Sequence, residues 1–245
     1  MVNSTGQIGS SISALMREYS NIAHNLANIN TTGFKRKVNS FSLELKGQMS
    51  SGPEQSPISG AIRINEALDF SPGTLLGTSR PLDTCINGKG FFEVETPDGP
   101  LYTRNGIFQI NSNGQLVDLD GRIVAGTDGP IVIPGSVSEL QINIAEDGEI
   151  SADGTLLGKL KIVDFKENEK ELIPTGKNCF MAPEGVEPGD AKNAMIRQGY
   201  RENSNVQRME ELVNLITVSR LYETNMSLLK KRRENAKAMI DVAKS

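Results

Sequence analysis

The chain has 245 residues, of which 37% are hydrophobic and 23% charged, with a net charge of −4. This is enough to bury one large or two modest cores, and it excludes wholesale disorder. No run of 18 apolar residues occurs, so no membrane insertion is expected. Residues 1–37 and 205–245 each carry +3 and the middle −10, which lacks the concentrated basic face of a nucleic-acid binder.

In chain order, residues 1–33 read as a helix. Ile8, Ile12, Leu15, Tyr19, Ile22, Leu26 and Ile29 recur at alternating steps of four and three, the 3.5-residue seam of a helix that faces another helix. Beside it runs a polar stripe, Asn21, Asn25 and Asn28. It reads either as ordinary polar surface or as amides that hydrogen-bond to neighbouring helices and fix their register. Gly33 suits the left-handed position after a helix end. Residues 34–60 read as a linker, rich in Ser, Gly and Pro from Ser50 to Pro57. Its opening Lys35-Arg36-Lys37 fits a solvated stretch or an electrostatic contact with acidic surfaces of neighbouring copies.

Residues 61–200 read as β. They hold 18 of the 24 glycines, and turn dipeptides recur along them: Asp98-Gly99, Asn105-Gly106, Asn113-Gly114, Asp120-Gly121, Asp128-Gly129, Asp147-Gly148 and Asp153-Gly154. Short β-type runs such as Gly90-Phe91-Phe92-Glu93-Val94 lie between them, so consecutive hairpins are expected. Residues 201–245 read as a second helix, with Ser204 or Asn205 as the cap and no Gly or Pro inside it. Its seam is Leu212, Leu215, Ser219, Tyr222, Met226 and Leu229, continuing through Arg233, Ala236 and Ile240. The fold class is therefore a mainly β body inserted between N- and C-terminal α-helices that form a coiled-coil-like pair.

Catalytic chemistry is sparse. His24 is the single histidine, so a two-histidine zinc site is excluded within this chain. Gly88-Lys89-Gly90 lacks the third glycine and following helix of a dinucleotide loop. Asp118-x-Asp120-Gly121 lacks the completing glutamate of a calcium loop and reads as a hairpin turn. Cys85 and Cys179 form no framework and are expected as buried thiols. No catalytic, cofactor or metal residue is assigned. The opening residues show no basic region followed by an apolar one, so a cleavable secretory signal is not expected.

One resemblance covers nearly the whole chain. Asn25-Leu26-Ala27-Asn28-Ile29-Asn30-Thr31-Thr32-Gly33-Phe34-Lys35-Arg36 resembles the N-terminal signature of bacterial flagellar rod and hook proteins. Further similar stretches follow in the same order: Asp69–Leu75, Arg80–Asp83, Ile86–Phe92, Tyr102–Gly106, Gly114–Val117, Gln198–Val206 and Glu210–Val213. The absence of a large inserted outer domain resembles a rod protein rather than a hook protein. Ile150–Gly154 followed by Gly158-Lys159-Leu160-Lys161 is most like the proximal-rod member that adjoins the distal rod.

The resemblance implies a non-enzymatic structural subunit of the basal-body rod, located in the periplasm and exported unfolded by the flagellar type III export apparatus. Its partners would be copies of itself and other flagellar rod proteins. The paired terminal helices would line a torque-transmitting tube, and the β domain would form its outer layer. The expected assembly interface is Leu15, Tyr19, Ile22, Asn25, Leu26, Asn28 and Ile29 with Leu215, Tyr222, Met226 and Leu229. The alternatives are a distal-rod or short hook-like axial protein, a secreted chaperone or length-control protein, and a secreted β-sandwich carbohydrate-binding protein. The last fits poorly with the absence of Trp and an aromatic content of 5%.

Overall fold

The computed structural model describes residues 2–45, 60–191 and 194–244, with side chains described from Ile8 onward except at 40–45, 60–65, 167 and 243–244. The contacts divide the chain into two units that do not follow chain order. The first comprises residues 1–27, 37–68 and 207–245; the second comprises 28–36 and 69–206.

The first unit holds two helices, α1 (Val2–Ala27) and α2 (Arg208–Lys244). At 1.5 Å per residue they extend about 39 Å and about 55 Å. The strands β1 (Arg36–Leu45) and β2 (Gly60–Asp69) pair as a two-stranded sheet. The linker expected over 34–60 is thus strand over Arg36–Leu45, while its Ser50–Pro57 portion lies outside the described residues. Phe41-Ser42-Leu43-Glu44-Leu45 alternates apolar and polar, a strand signal that a reading of the turn-forming residues beyond it passes over. Among the described residues no helix is long and apolar enough to cross a membrane.

Both helix ends differ from expectation. α1 stops at Ala27, six residues before Gly33. The Asn28 carbonyl accepts from Thr31 N at 3.0 Å and its Oδ1 accepts from Thr31 Oγ at 3.2 Å, so this pair competes with continued helix. α2 starts after Gln207, whose carbonyl accepts from Glu211 N at 3.0 Å. Ser204 Oγ accepts from Val206 N and the Asn205 side chain is bound elsewhere, so neither is the cap.

The second unit is all β. Its early strands are β3 (Leu75–Gly77), β4 (Thr84–Asn87), β5 (Phe91–Thr96), β6 (Gly99–Thr103), β7 (Gln109–Ile110), β8 (Leu116–Val117) and β9 (Ile123–Gly126). The main sheet runs Ile173–Gly176, Cys179–Met181, β6, β5, β9, β8, β7. A three-stranded sheet spans residues 142–159, β4 pairs with Met195–Gln198, and β3 pairs with Tyr200–Glu202. Hairpins are present at the expected turn dipeptides other than Asn105-Gly106. Ala152 opposes Thr155 across Asp153 (φ 49°) and Gly154 (φ 79°), a two-residue loop with both residues left-handed.

Asn105-Gly106 is not such a turn. A Cβ on Gly106 would lie 2.0 Å from the Thr84 carbonyl oxygen, and the Gly106 carbonyl accepts from Thr84 N at 2.8 Å. The glycine serves close approach of β4 rather than chain reversal.

β5 is buried on both faces. Phe92 meets Phe108 edge-on at 5.1 Å within a core that includes Leu82, Ile86, Val94, Leu116, Ile133, Ile150 and Leu160. Phe91 points to the opposite face and packs edge-on against Phe70, Phe165 and Phe180. This explains why two phenylalanines stand side by side at its start, one for each face.

A buried charge cluster ties the 28–36 segment into this unit. Lys35 is 2% exposed, and its Nζ donates to Glu202 Oε1 at 2.7 Å and to the Ser71 carbonyl at 2.9 Å. Glu202 Oε1 also accepts from Gly73 N, and the Glu202 carbonyl accepts from Gly33 N at 2.7 Å. Arg104 Nη1 lies 3.8 Å from Glu202 Oε2, its Nη2 donates to the Gly88 carbonyl, and its guanidinium sits 5.5 Å from the Phe91 ring centroid. Burial lowers the Lys35 pKa against the raising influence of Glu202. Neither earlier reading of Lys35 holds: it is neither solvated nor free for a neighbouring copy. Gly33 has φ 68°, and a Cβ there would lie 2.6 Å from the Arg104 carbonyl carbon.

Cys85 and Cys179 are free, buried thiols. Burial pushes Cys85 up to about 11 and raises Cys179 as well. In the folded chain both are expected to resist a thiol reagent at pH 8 and to react fully once denatured, as a colorimetric thiol titration would read. Glu202→Gln leaves two buried cations without their counter-charge. Urea unfolding should show a loss of about 3–5 kcal/mol, and a Lys35→Met/Glu202→Leu pair should recover much of it.

Candidate assembly interface

Chemistry needs groups that converge, and this chain offers little of it. Among the described residues no group of His, Cys, Asp and Glu could hold a metal ion. The Asp118 carboxylate accepts from Asp120 N, Arg122 N and Arg122 Nε, and Asp120 pairs with Arg122 and Lys177, so the carboxylates of this turn are taken up by protein cations. Glu93 is paired with Lys161 at 2.8 Å. His24 sits on the exposed side of α1, where partial burial and nearby Lys37 lower its pKa. The functional candidates are therefore the helix faces of the first unit.

The two helices contact each other and run in opposite directions. Asn25 meets Glu211, and Leu15, Met16 and Tyr19 share a groove with Ser219, Tyr222 and Glu223, so numbers fall on α1 as they rise on α2. Ile22 and Asn25 are buried at this face, and Leu15, Leu26, Leu215, Tyr222 and Leu229 are half-buried. Tyr19 is 47% exposed and Met226 42% exposed. Asn28 and Ile29 lie beyond the end of α1 and belong to the second unit.

The asparagine stripe turns out to serve the chain's own strand. Asn25 Oδ1 accepts from Lys37 N at 2.8 Å, while its Nδ2 donates to the Lys37 carbonyl at 2.9 Å and to Glu211 Oε1 at 3.3 Å. The side chain thus satisfies both backbone groups of one β1 residue as a neighbouring strand would. Asn21 Nδ2 donates to Asn39 Oδ1 at 2.7 Å, and Asn39 Nδ2 donates to Glu18 Oε2. Two members of the stripe are buried, which overturns the surface reading. Their partners are β1 and Glu211 rather than neighbouring helices alone.

On α2 the inward face is displaced from the expected seam. Leu212 and Met226 are exposed, whereas Glu211 is 1% and Val218 8% exposed. The covered positions, Glu211, Leu215, Val218, Tyr222, Asn225 and Leu229, also alternate four and three. Two registers of the same period coexist on α2, and an apolar count favours the one that omits Glu211. The signal that could have found it is polar: Glu18, Asn21 and Asn25 share one face of α1 at i, i+3 and i+7 and need polar partners.

The groove between the helices is about 380 Å³ and is lined by Leu15, Met16, Tyr19, Ser219, Tyr222 and Glu223. A separate apolar stripe lies on the opposite side of α2. Met209, Leu212, Val213 and Ile216 are 40–73% exposed at i, i+3, i+4 and i+7. Large apolar side chains at this spacing on an exposed helix are the mark of an interaction surface.

The chain is similar to known flagellar proteins. A family model described as the flagellar hook protein FlgE/F/G D1 domain matches residues 85–152. One described as the flagellar basal body rod FlgEFG protein C-terminal matches residues 197–242. The chain is 35% identical to the flagellar basal-body rod protein FlgG of Buchnera aphidicola subsp. Baizongia pistaciae, over 85% of this chain and 87% of that protein. It is 34% identical to FlgG of Agrobacterium fabrum over the same shares. With the basal-body rod protein FlgF of Caulobacter vibrioides it shares 29% identity over 93% of this chain and 92% of that one. Identity above 30% across most of both chains shows that this chain belongs to the flagellar basal-body rod protein family.

Proposed function

We infer that this chain is a structural subunit of the bacterial flagellar basal-body rod. Its terminal helices are the assembling elements, and its β unit supplies bulk rather than chemistry. The observation that carries this reading is the unpartnered apolar surface of α2, Met209, Leu212, Val213 and Ile216, on a helix whose other face is already engaged with α1. Left in water such a stripe is costly, and covering it with another subunit removes that cost.

In this reading α1 and α2 act as a coiled-coil-like antiparallel pair, and the pair docks on copies of itself and on other rod proteins. Leu15, Tyr19, Ile22, Asn25, Leu26, Leu215, Tyr222, Met226 and Leu229 contribute through the helices. Asn28 and Ile29 contribute from the segment that follows α1. Contacts of this kind repeat between unlike faces and do not close, so they build a tube able to carry torque. Passage through the flagellar type III export apparatus and a place in the periplasmic, proximal part of the rod complete the proposal. The proximal placement is supported by the Ile150–Lys161 sequence, and the match to a FlgF protein over 93% of this chain and 92% of that one fits a subunit of this length.

A chain reduced to residues 28–206 keeps the β core and the Lys35–Glu202 pair. It is expected to fold, by near-ultraviolet circular dichroism, yet to be absent from purified basal bodies; recovery there at the level of the full chain would refute the role given to the helices. Asn25→Leu removes three hydrogen bonds and strands the Lys37 backbone. Guanidinium unfolding of the full chain should show a loss of about 2 kcal/mol or more, with the helical far-ultraviolet signal falling first.

A further inference from the structure

We propose that the groove formed by Leu15, Met16, Tyr19 and Tyr222 receives the C-terminal stretch of α2, around Met239 and Ile240, from a second copy of this chain. The inference rests on the rod reading and names the partner of that helix pair. The groove is open on its outer side: Met16 is 57% and Tyr19 47% exposed. Its lining is mostly apolar, and Glu223 is the charged residue among those that line it.

The occupant follows from what the same chain leaves uncovered. Every residue of α2 from Lys230 to Val242 is exposed, and Met239 and Ile240 are 64% and 54% exposed. Ala236, Met239 and Ile240 stand at i, i+3 and i+4, so they share one face. This stretch continues the face already engaged with α1 through Leu229, whose spacing runs on to Ala236 and Ile240. A tail with an apolar face and a groove with an apolar floor cannot meet within one helix, because both lie on α2 about 26 Å apart along its axis.

Charge selects the arrangement. Lys230–Lys244 carries six basic and two acidic side chains, whereas residues 8–27 and 207–223, which build the groove, carry three basic and four acidic. Tail against tail sets like charge on like charge, and groove against groove offers no apolar ridge to fill the space. Tail in groove brings opposite signs together, with the lysines of the tail near Glu223. The contact is heterologous, so each copy presents a free groove or a free tail to the next.

The test uses full-length chains in cells that build basal bodies. One tagged copy carries Met16→Cys and a differently tagged copy carries Ile240→Cys. The native thiols, buried and raised in pKa, stay silent. Oxidation of purified basal bodies should give a mixed disulfide between the two tags and a loss of this product when the tail copy also carries Met239→Asp. Should Met16→Cys not be incorporated, Tyr222→Cys replaces it on the other helix of the groove. Same-tag disulfides only, an adduct of Ile240→Cys with a different rod protein, or basal bodies that hold both copies without the mixed product would overturn the proposal and leave the rod reading standing. Absence of the unsubstituted chain from basal bodies would overturn the rod reading itself.

Discussion

The second unit depends on one buried carboxylate. Glu202 binds Lys35 and Gly73 through its side chain, accepts from Gly33 through its backbone, and faces Arg104. Three stretches far apart in sequence, around Gly33–Lys35, Gly73 and Arg104, converge on it. A buried ion pair contributes little net stability when intact, because desolvation offsets its Coulomb energy. Its effect lies in specificity: any other seating of the 28–36 segment would leave a lysine or a glutamate buried without a counter-charge. The cluster thus makes one arrangement of that segment far better than its competitors.

The first unit applies the same principle with amides. An apolar helix pair tolerates sliding, since one leucine replaces another at small cost. Asn25 does not tolerate it, because its three partners on β1 and α2 are fixed in space. Register is thereby set by polar groups buried beside an apolar seam. The remaining apolar surface of α2 stays exposed. A helix of 37 residues with two apolar faces has more sticky surface than one 26-residue partner can cover.

Much of the fold was legible in the residues. The terminal helices, the β body and its turn dipeptides follow from periodicity and from the backbone freedom of Gly and Asn. Leu15, Ile22, Leu215 and Tyr222 were found because apolar spacing is a direct record of a helix face. Val218 and Glu211 were missed because α2 carries two overlapping registers, and spacing alone does not say which one meets α1. β1 was missed although Phe41-Ser42-Leu43-Glu44-Leu45 alternates apolar and polar, because the Ser-, Gly- and Pro-rich stretch that follows set the reading of the whole segment and its strand partner lies far on in the chain.

The sequence by itself determined the element types, the free thiols expected of Cys85 and Cys179, and the likeness to rod and hook proteins. These rest on local propensity, composition and ordered motifs, which are properties of neighbouring residues. Only the tertiary structure decided what Lys35, Asn21, Asn25, Gly33 and Gly106 are for. Each of them acts on a group distant in the chain: Lys35 on Glu202, Asn21 on Asn39, Asn25 on Lys37 and Glu211, Gly33 on Arg104, and Gly106 on Thr84. A burial or close approach of that kind exists only once the chain has folded, because it is set by which segments meet.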